Sequence, residues 1–241
     1  MSTAENTIAE NIRLVRKNMA AAALAAGRRP EDIFLVAATK MNDAGRVKEA
    51  IAADSGIICG ENRVQELLEK DAQGAYTGAP LHFIGVLQKN KVKYLVGTVS
   101  LIHSVDSLAL LEVIDRAAAK KGLTQDLLLE INIAGEASKS GFAPDELPTV
   151  LAAAAALPAV RVRGLMAIPP ICADGEENRP YFAAMQQLFI DNSAKKYDNV
   201  SMDFLSMGMS GDYETAIACG ANMVRVGSAI FGARVYPAKE I

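Results

Sequence analysis

Three groups of residues in this chain have types and positions that suit chemistry. The first is Lys40, which closes the apolar run IFLVAATK (33–40), where Thr39 is the only other polar residue. A lysine at the rim of an apolar wall is partly desolvated. Desolvation lowers the pKa of an amine and makes it a better nucleophile toward an aldehyde. The competing reading is a lysine that simply reaches from a strand end to solvent. The second group is a pair of glycine- and serine-rich segments, Ser206-Met207-Gly208-Met209-Ser210-Gly211 and Gly227-Ser228-Ala229-Ile230-Phe231-Gly232. Glycine lets a backbone approach a phosphate, and serine adds a hydroxyl donor, although either segment alone also fits an ordinary turn. The third is Arg225, set between Val224 and Val226 in an apolar run. A buried arginine needs a partner. That partner is either an internal carboxylate such as Glu130 or Asp203, or the ring nitrogen of a bound cofactor.

Other candidates are weaker. His82 opens a strand and His103 lies inside one, so a packed, hydrogen-bonded histidine is the expected state of both. Asp212 and Glu214 read as the acidic first turn of a helix. No Ser-His-Asp arrangement and no metal-ligand cluster is visible. Cys59, Cys172 and Cys219 are odd in number and widely spaced, unlike a disulfide framework.

The elements that must position these groups alternate regularly. Residues 4–26 read as a helix, with Ile8, Ile12, Val15, Met19, Ala22 and Ala23 at helical spacing and Gly27 as its stop. Strands follow at 33–40, 57–60, 82–85, 101–105, 126–133, 160–168, 202–208 and 223–232. Helices fall at 44–54, from Glu61 onward, and at 90–96, 107–121, 144–156, 177–195 and 212–219. Continuous apolar strands separated by helices predict a parallel sheet buried on both faces. Eight such units in 241 residues suit a closed (β/α)8 barrel of one domain, 1–241, better than an open sheet. No G-x-G-x-x-G follows the first strand, which weakens a dinucleotide-binding reading. Too few residues follow the eighth strand for a closing helix, and the N-terminal helix is expected to fill that place. Barrels of this kind carry their chemistry at the C-terminal ends of the strands and often bind phosphate after strands seven and eight. Lys40 and both glycine segments stand at that end.

Bulk properties narrow the classes further. A formal charge of -3 and a pI near 5.5 argue against nucleic acid as a partner. No apolar run has the length of a membrane span, and the N-terminus lacks a signal-peptide core. A reducing cytoplasm is the expected location.

The segments VAATK (36–40), CGENRVQE (59–66), HFIGVLQKNK (82–91), IHSVDS (102–107), LEINIAGEASKSGF (129–142), GLMAIPP (164–170), LSMGMSGDYETAI (205–217) and VRVGSAIFGAR (224–234) resemble the pyridoxal phosphate homeostasis protein family. These are the single-domain relatives of the alanine racemase barrel, and the match runs from first strand to last. The resemblance implies a TIM barrel of the alanine racemase N-terminal type, with an extra N-terminal helix, that binds pyridoxal 5′-phosphate. It implies that Lys40 forms a Schiff base and that Ser210, Gly227 and Ser228, with backbone from Met209, hold the phosphate. Arg225 would then face the pyridine nitrogen and Asn62 would lie beside the ring, with Lys139 near the cofactor's entrance. Many family members continue the lysine with Thr and soon a Pro, whereas this chain reads Lys40-Met41-Asn42-Asp43.

Two functions follow from that resemblance. One is a non-enzymatic carrier or regulator of the cofactor, with no catalytic residue, acting as a monomer or weak dimer. Its acceptors would be apo forms of enzymes that use the cofactor, or free amino acids. The other is an amino-acid racemase of low activity. Racemization needs acid-base groups on both faces of the substrate α-carbon, and in the two-domain racemases the second comes from a further domain. The end of the sequence at Ile241 therefore favours the carrier.

Overall fold

The computed structural model describes residues 6–136, 139–194 and 197–232. Its strands are β1 (Phe34–Ala38), β2 (Ile58–Glu61), β3 (Leu81–Phe83), β4 (Leu101–Val105), β5 (Gln125–Glu130), β6 (Val160–Met166), β7 (Val200–Ser206) and β8 (Met223–Val226). All pair in parallel, each with its sequence neighbour, and β1 also pairs with β8, so the sheet closes into a barrel. The helices are α1 (Ile8–Ala25), α2 (Ala44–Ala53), α3 (Val64–Asp71), α4 (Val92–Leu95), α5 (Leu108–Lys120), α6 (Leu147–Ala155), α7 (Arg179–Ser193), α8 (Tyr213–Ala218) and α9 (Ser228–Phe231). Residues 4, 5 and 195 of the expected helices lie outside the described residues, as do 233 and 234 of the last matched segment.

Side-chain alternation along each strand divides the apolar residues into two cores. Val36, Ala38, Ile58, Ile84, Leu101, Leu128, Met166 and Met223 fill the barrel itself. Their neighbours, among them Leu35, Ala37, Cys59, Ile102, Leu127, Leu129, Leu165, Val224 and Val226, pack outward against the helices. Both faces are therefore dry, and this is why the strands read as continuous apolar runs. At Gly164, with φ +141°, an added Cβ would lie 1.9 Å from the Phe204 carbonyl oxygen. The register between β6 and β7 shifts at this point, so the glycine permits a bulge that no larger residue would fit.

Helix α1 takes a place in the outer ring of helices, against α8, α2 and α9. Thr7 and Glu10 form a capping box at its start, and Ile8, Ile12, Val15, Met19 and Ala23 make its buried stripe. Asn11 donates to the Ile230 carbonyl at 2.9 Å, Arg16 pairs with Asp54 at 2.7 Å, and Asn18 donates to Glu214 at 3.2 Å. The helix thus packs between α8 and α2, against α9. No helix among the described residues is long and apolar enough to cross a membrane.

Several boundaries differ from the expected ones, each for a local reason. β1 ends at Ala38, because the Asn42 amide turns back to the Thr39 carbonyl (3.1 Å) and takes Lys40 out of the ladder. Glu61 is not the start of a helix but the last residue of β2, in register with Phe83. β5 ends at Glu130, and Asn132 lies beyond it. The segment 223–232 is strand only to Val226. Beyond it the Gly227 amide leaves the ladder for Ser210 Oγ (3.1 Å) and α9 begins.

Candidate functional site

The site is built on four adjacent strands, β7, β8, β1 and β2. Lys40 is half-buried at the second position of a turn from Thr39 to Asn42, and its carbonyl accepts from Asn42 Nδ2 at 3.1 Å. On one side, Asn62 follows β2, and its Oδ1 is buried without a hydrogen-bond partner. Gly85 backs it so closely that a Cβ there would lie 2.2 Å from the Asn62 carbonyl oxygen. On the other side, Arg225 of β8 stands in register with Val36. Two residues on, Gly227 approaches β1, where an added Cβ would sit 3.3 Å from that of Ala38. Ser210, in the loop after β7, accepts from the amides of Gly227 (3.1 Å) and Ala229 (3.3 Å). Both serine lone pairs are thereby engaged, which leaves the hydroxyl hydrogen as a donor. Lys40, Asn62, Ser210, Arg225, Gly227 and Ser228 are thus brought to one end of neighbouring strands.

Met209 and Lys139 have partners of their own. The Met209 amide donates to Asp212 Oδ1 at 2.6 Å, and its carbonyl accepts from the amides of Asp212 and Tyr213. Its backbone shapes the turn into α8. Lys139 pairs with Glu136 at 2.8 Å in the loop after β5, across the barrel from β1. A cleft of about 580 Å³ lined by Gln88, Lys89, Asn90 and Asp106 opens on the β3–β4 side of the mouth rather than over Lys40.

Arg225 is 4% exposed. It donates to Ser206 Oγ at 2.7 Å and to the Ala167 carbonyl at 3.0 Å. No carboxylate among the described residues forms an ion pair with it. Asp203, the alternative partner, pairs instead with Arg163. Burial lowers the Arg225 pKa to about 10, against the opposing pull of Glu130 and Asp212, so the guanidinium keeps its charge at neutral pH. A buried cation with no carboxylate in contact among the described residues is costly and suits a site that receives an electron-rich partner.

A buried chain extends from Arg225 into the barrel. Ser206 Oγ lies 3.0 Å from His103 Nδ1, and His103 Nε2 lies 3.0 Å from His82 Nδ1. Burial pushes His82 down to about 3 and holds His103 well below the ordinary histidine range, where the nearby His82 and Arg225 add to the effect. Both rings are neutral, packed and hydrogen-bonded, as their positions in the strands suggest.

Glu130, at the end of β5, is 8% exposed. Burial first, then Asp106, raises it to about 7, with Arg225 opposing. A carboxyl whose folded pKa is raised contributes stability below its unfolded pKa and loses it as pH rises through the folded value. Each tenfold change in proton affinity is worth about 1.4 kcal/mol, so wild type should lose about 3 kcal/mol relative to Glu130→Gln between about pH 4.5 and pH 8. Urea unfolding of both proteins across that range checks this, and parallel stability curves would refute it.

Sequence reasoning missed one group altogether. Glu61, Lys70, Thr39 and Tyr76 are buried beneath Lys40. A signal was present, because Lys70 continues the buried Val64, Leu67 stripe of α3. A lysine on an apolar stripe ordinarily reaches out to solvent, so the position alone did not reveal an inward ion pair.

Among the described residues no group of His, Cys, Asp or Glu is arranged to hold a metal ion. The arrangement offers an amine at a strand end, hydroxyl donors from two loops, a buried cation and an unpartnered amide oxygen. That set suits a flat, phosphorylated aldehyde with a ring nitrogen.

Comparison with known proteins agrees with that chemistry. A family profile described as alanine racemase, N-terminal domain, matches residues 5–235. The pyridoxal phosphate homeostasis protein of Pseudomonas aeruginosa is 42% identical over 233 residues, covering 97% of this chain and 98% of that one. The structure of PipY from Synechococcus elongatus with pyridoxal phosphate (PLP) bound superposes with a TM-score of 0.79 at 33% identity, over 94% of this chain and 100% of that one. An alanine racemase from Clostridium difficile shares the fold, with a TM-score of 0.69 at 16% identity, over 96% of this chain and 58% of that one.

Proposed function

The chain belongs to the pyridoxal phosphate homeostasis protein family, and on that premise we propose that it binds PLP and handles it in the cytoplasm without efficient turnover. The observation that carries this reading is a buried Arg225 on β8, with no carboxylate ion pair among the described residues, in register with Val36 of β1, the strand that Lys40 follows. When bound, PLP supplies an aldehyde that an amine can capture and a ring that withdraws electrons from what is attached to it. Lys40 is the amine. Arg225, a donor that keeps its charge, would face the ring nitrogen and keep it unprotonated. Asn62, whose Oδ1 is orphaned, would lie beside the ring and offer it an acceptor. Ser210, Gly227 and Ser228 hold the phosphate, and Met209 supports them by shaping the turn. Acceptors of the cofactor are apo PLP-dependent enzymes or free amino acids.

The phosphate assignment has its own test. Ser210→Ala with Ser228→Ala should weaken PLP binding by about 1–3 kcal/mol, the scale of hydrogen bonds to a charged group, while capture by Lys40 persists. Isothermal titration with PLP and with unphosphorylated pyridoxal reads this directly. Equal affinity for the two ligands in wild type would show that these loops do not bind the phosphate.

A further inference from the structure

The buried charges beneath Lys40 make none of the contacts assigned to the cofactor. The Glu61 side chain is fully buried and that of Lys70 only 7% exposed. Ions so placed cost the fold free energy unless every donor and acceptor is satisfied, and an apolar pair of similar volume would often serve stability as well. Here they are satisfied. Glu61 Oε1 accepts from Lys70 Nζ (2.6 Å), Thr39 Oγ1 (2.7 Å) and the Tyr76 hydroxyl (3.1 Å). Burial and the adjacent Glu61 push the Tyr76 phenol upward, so it stays a donor. The other Glu61 oxygen receives the Asn62 amide at 3.3 Å. The Lys70 ammonium uses its three donors on Glu61, Glu66 Oε1 (2.7 Å) and the Thr39 carbonyl (2.9 Å). Glu66 Oε1 in turn accepts the Met41 amide at 2.5 Å.

These bonds converge on the residues that flank Lys40, Thr39 before it and Met41 after it. Met41 has φ +61°, the one non-glycine residue with positive φ among those described. It holds the third position of the turn, where positive φ favours glycine. A strained conformation persists only where its surroundings over-determine it. The Met41–Glu66 bond, the turn bond from Asn42 and the Asn42 side chain on the Lys40 carbonyl do so here.

We infer that Glu61, Lys70 and Glu66 are positioning residues for Lys40, fixing the backbone from which its amine reaches the PLP aldehyde. This role presupposes the PLP-binding function proposed for Lys40. In the capture step the Lys40 nitrogen attacks the aldehyde carbon, a C=N bond replaces C=O, and the oxygen leaves as water with the two amine protons. Holding the lysine's base in one place makes that condensation faster and more favourable, because less freedom is lost when the bond forms.

The test compares PLP with pyridoxine 5′-phosphate, which has the ring and phosphate but an alcohol in place of the aldehyde. Variants are Glu66→Ala, Lys70→Met, the charge-free pair Glu61→Gln/Lys70→Met, and Lys70→Arg as the conservative control. Glu66 is the mildest of these sites, so Glu66→Ala keeps the test open if the buried variants fold poorly. Glu66→Ala and the neutralised variants should bind PLP at least about tenfold more weakly and form borohydride-fixed product on Lys40 more slowly. Their affinity for pyridoxine 5′-phosphate should stay within about twofold of wild type, and Lys70→Arg should recover most of the PLP affinity. Equal weakening toward both ligands, or unchanged PLP capture in Glu66→Ala, would overturn the positioning role. A wild-type chain that fixes no PLP on Lys40 would instead remove the functional reading on which it rests.

Discussion

Lys40→Ala should abolish the yellow colour that PLP gives the wild-type protein and all borohydride-stable label on the peptide containing position 40. The expected loss in affinity is at least about a hundredfold, or roughly 2.7 kcal/mol, because the covalent link is gone while ring and phosphate contacts remain. Residual binding is expected, since Ser210, Gly227 and Ser228 lie on loops that do not depend on the lysine. Lys139 also remains, but it stands across the barrel and is paired with Glu136. Peptide mapping after reduction distinguishes these cases. A Lys40→Ala protein that stays yellow, or a label found only elsewhere in wild type, would refute the assignment.

The second large effect is a missing turnover. Enzymes commonly reach about 1–1000 turnovers per second, and racemization of any common amino acid, alanine included, should fall several orders of magnitude below this. Inversion needs a proton donor and a proton acceptor on opposite faces of the α-carbon. Lys40 would supply one face. His82 and His103 are bonded to each other inside the barrel and held neutral, and Arg225 keeps its proton. Glu130, raised to about 7, ends β5, across the barrel from β1, and is not expected to supply the second face. Solvent deuterium incorporation at the α-carbon, followed by NMR at saturating amino acid, measures the outcome. Slow exchange without inversion is the expected limit, with Lys40 as the base. Rapid exchange with inversion would establish a racemase, and its loss in Glu130→Gln would identify the second group.

Much of the site is legible along the chain. Lys40, Arg225 and the two glycine-serine segments stand out because a polar residue in a continuous apolar run is conspicuous, and because β7 and β8 are the strands after which barrels bind phosphate. Helix α1 is legible too, since Ile8, Ile12, Val15, Met19 and Ala23 form one apolar stripe ahead of the first strand. Boundaries are less so. The strands within 33–40 and 223–232 end before their apolar runs do. A turn after Thr39 and a helix after Gly227 cut them short, and both are closed by hydrogen bonds from Asn42 and Ser210 that have no periodic signature.

By itself, then, the sequence determined the barrel and singled out the candidate reactive groups, because apolar periodicity and strand-end polarity are local properties of the chain. The tertiary structure decided which partners those groups have. Arg225 could have paired with Glu130 or Asp203, yet closure of the sheet turns Asp203 toward Arg163 and aims Arg225 at Ser206 and the Ala167 carbonyl. Glu61 and Lys70 are nine positions apart on a strand and a helix, and only the packing of α3 against β2 removes both from water. Burial and partner choice depend on contacts between residues distant in sequence, and no spacing of residue types encodes them.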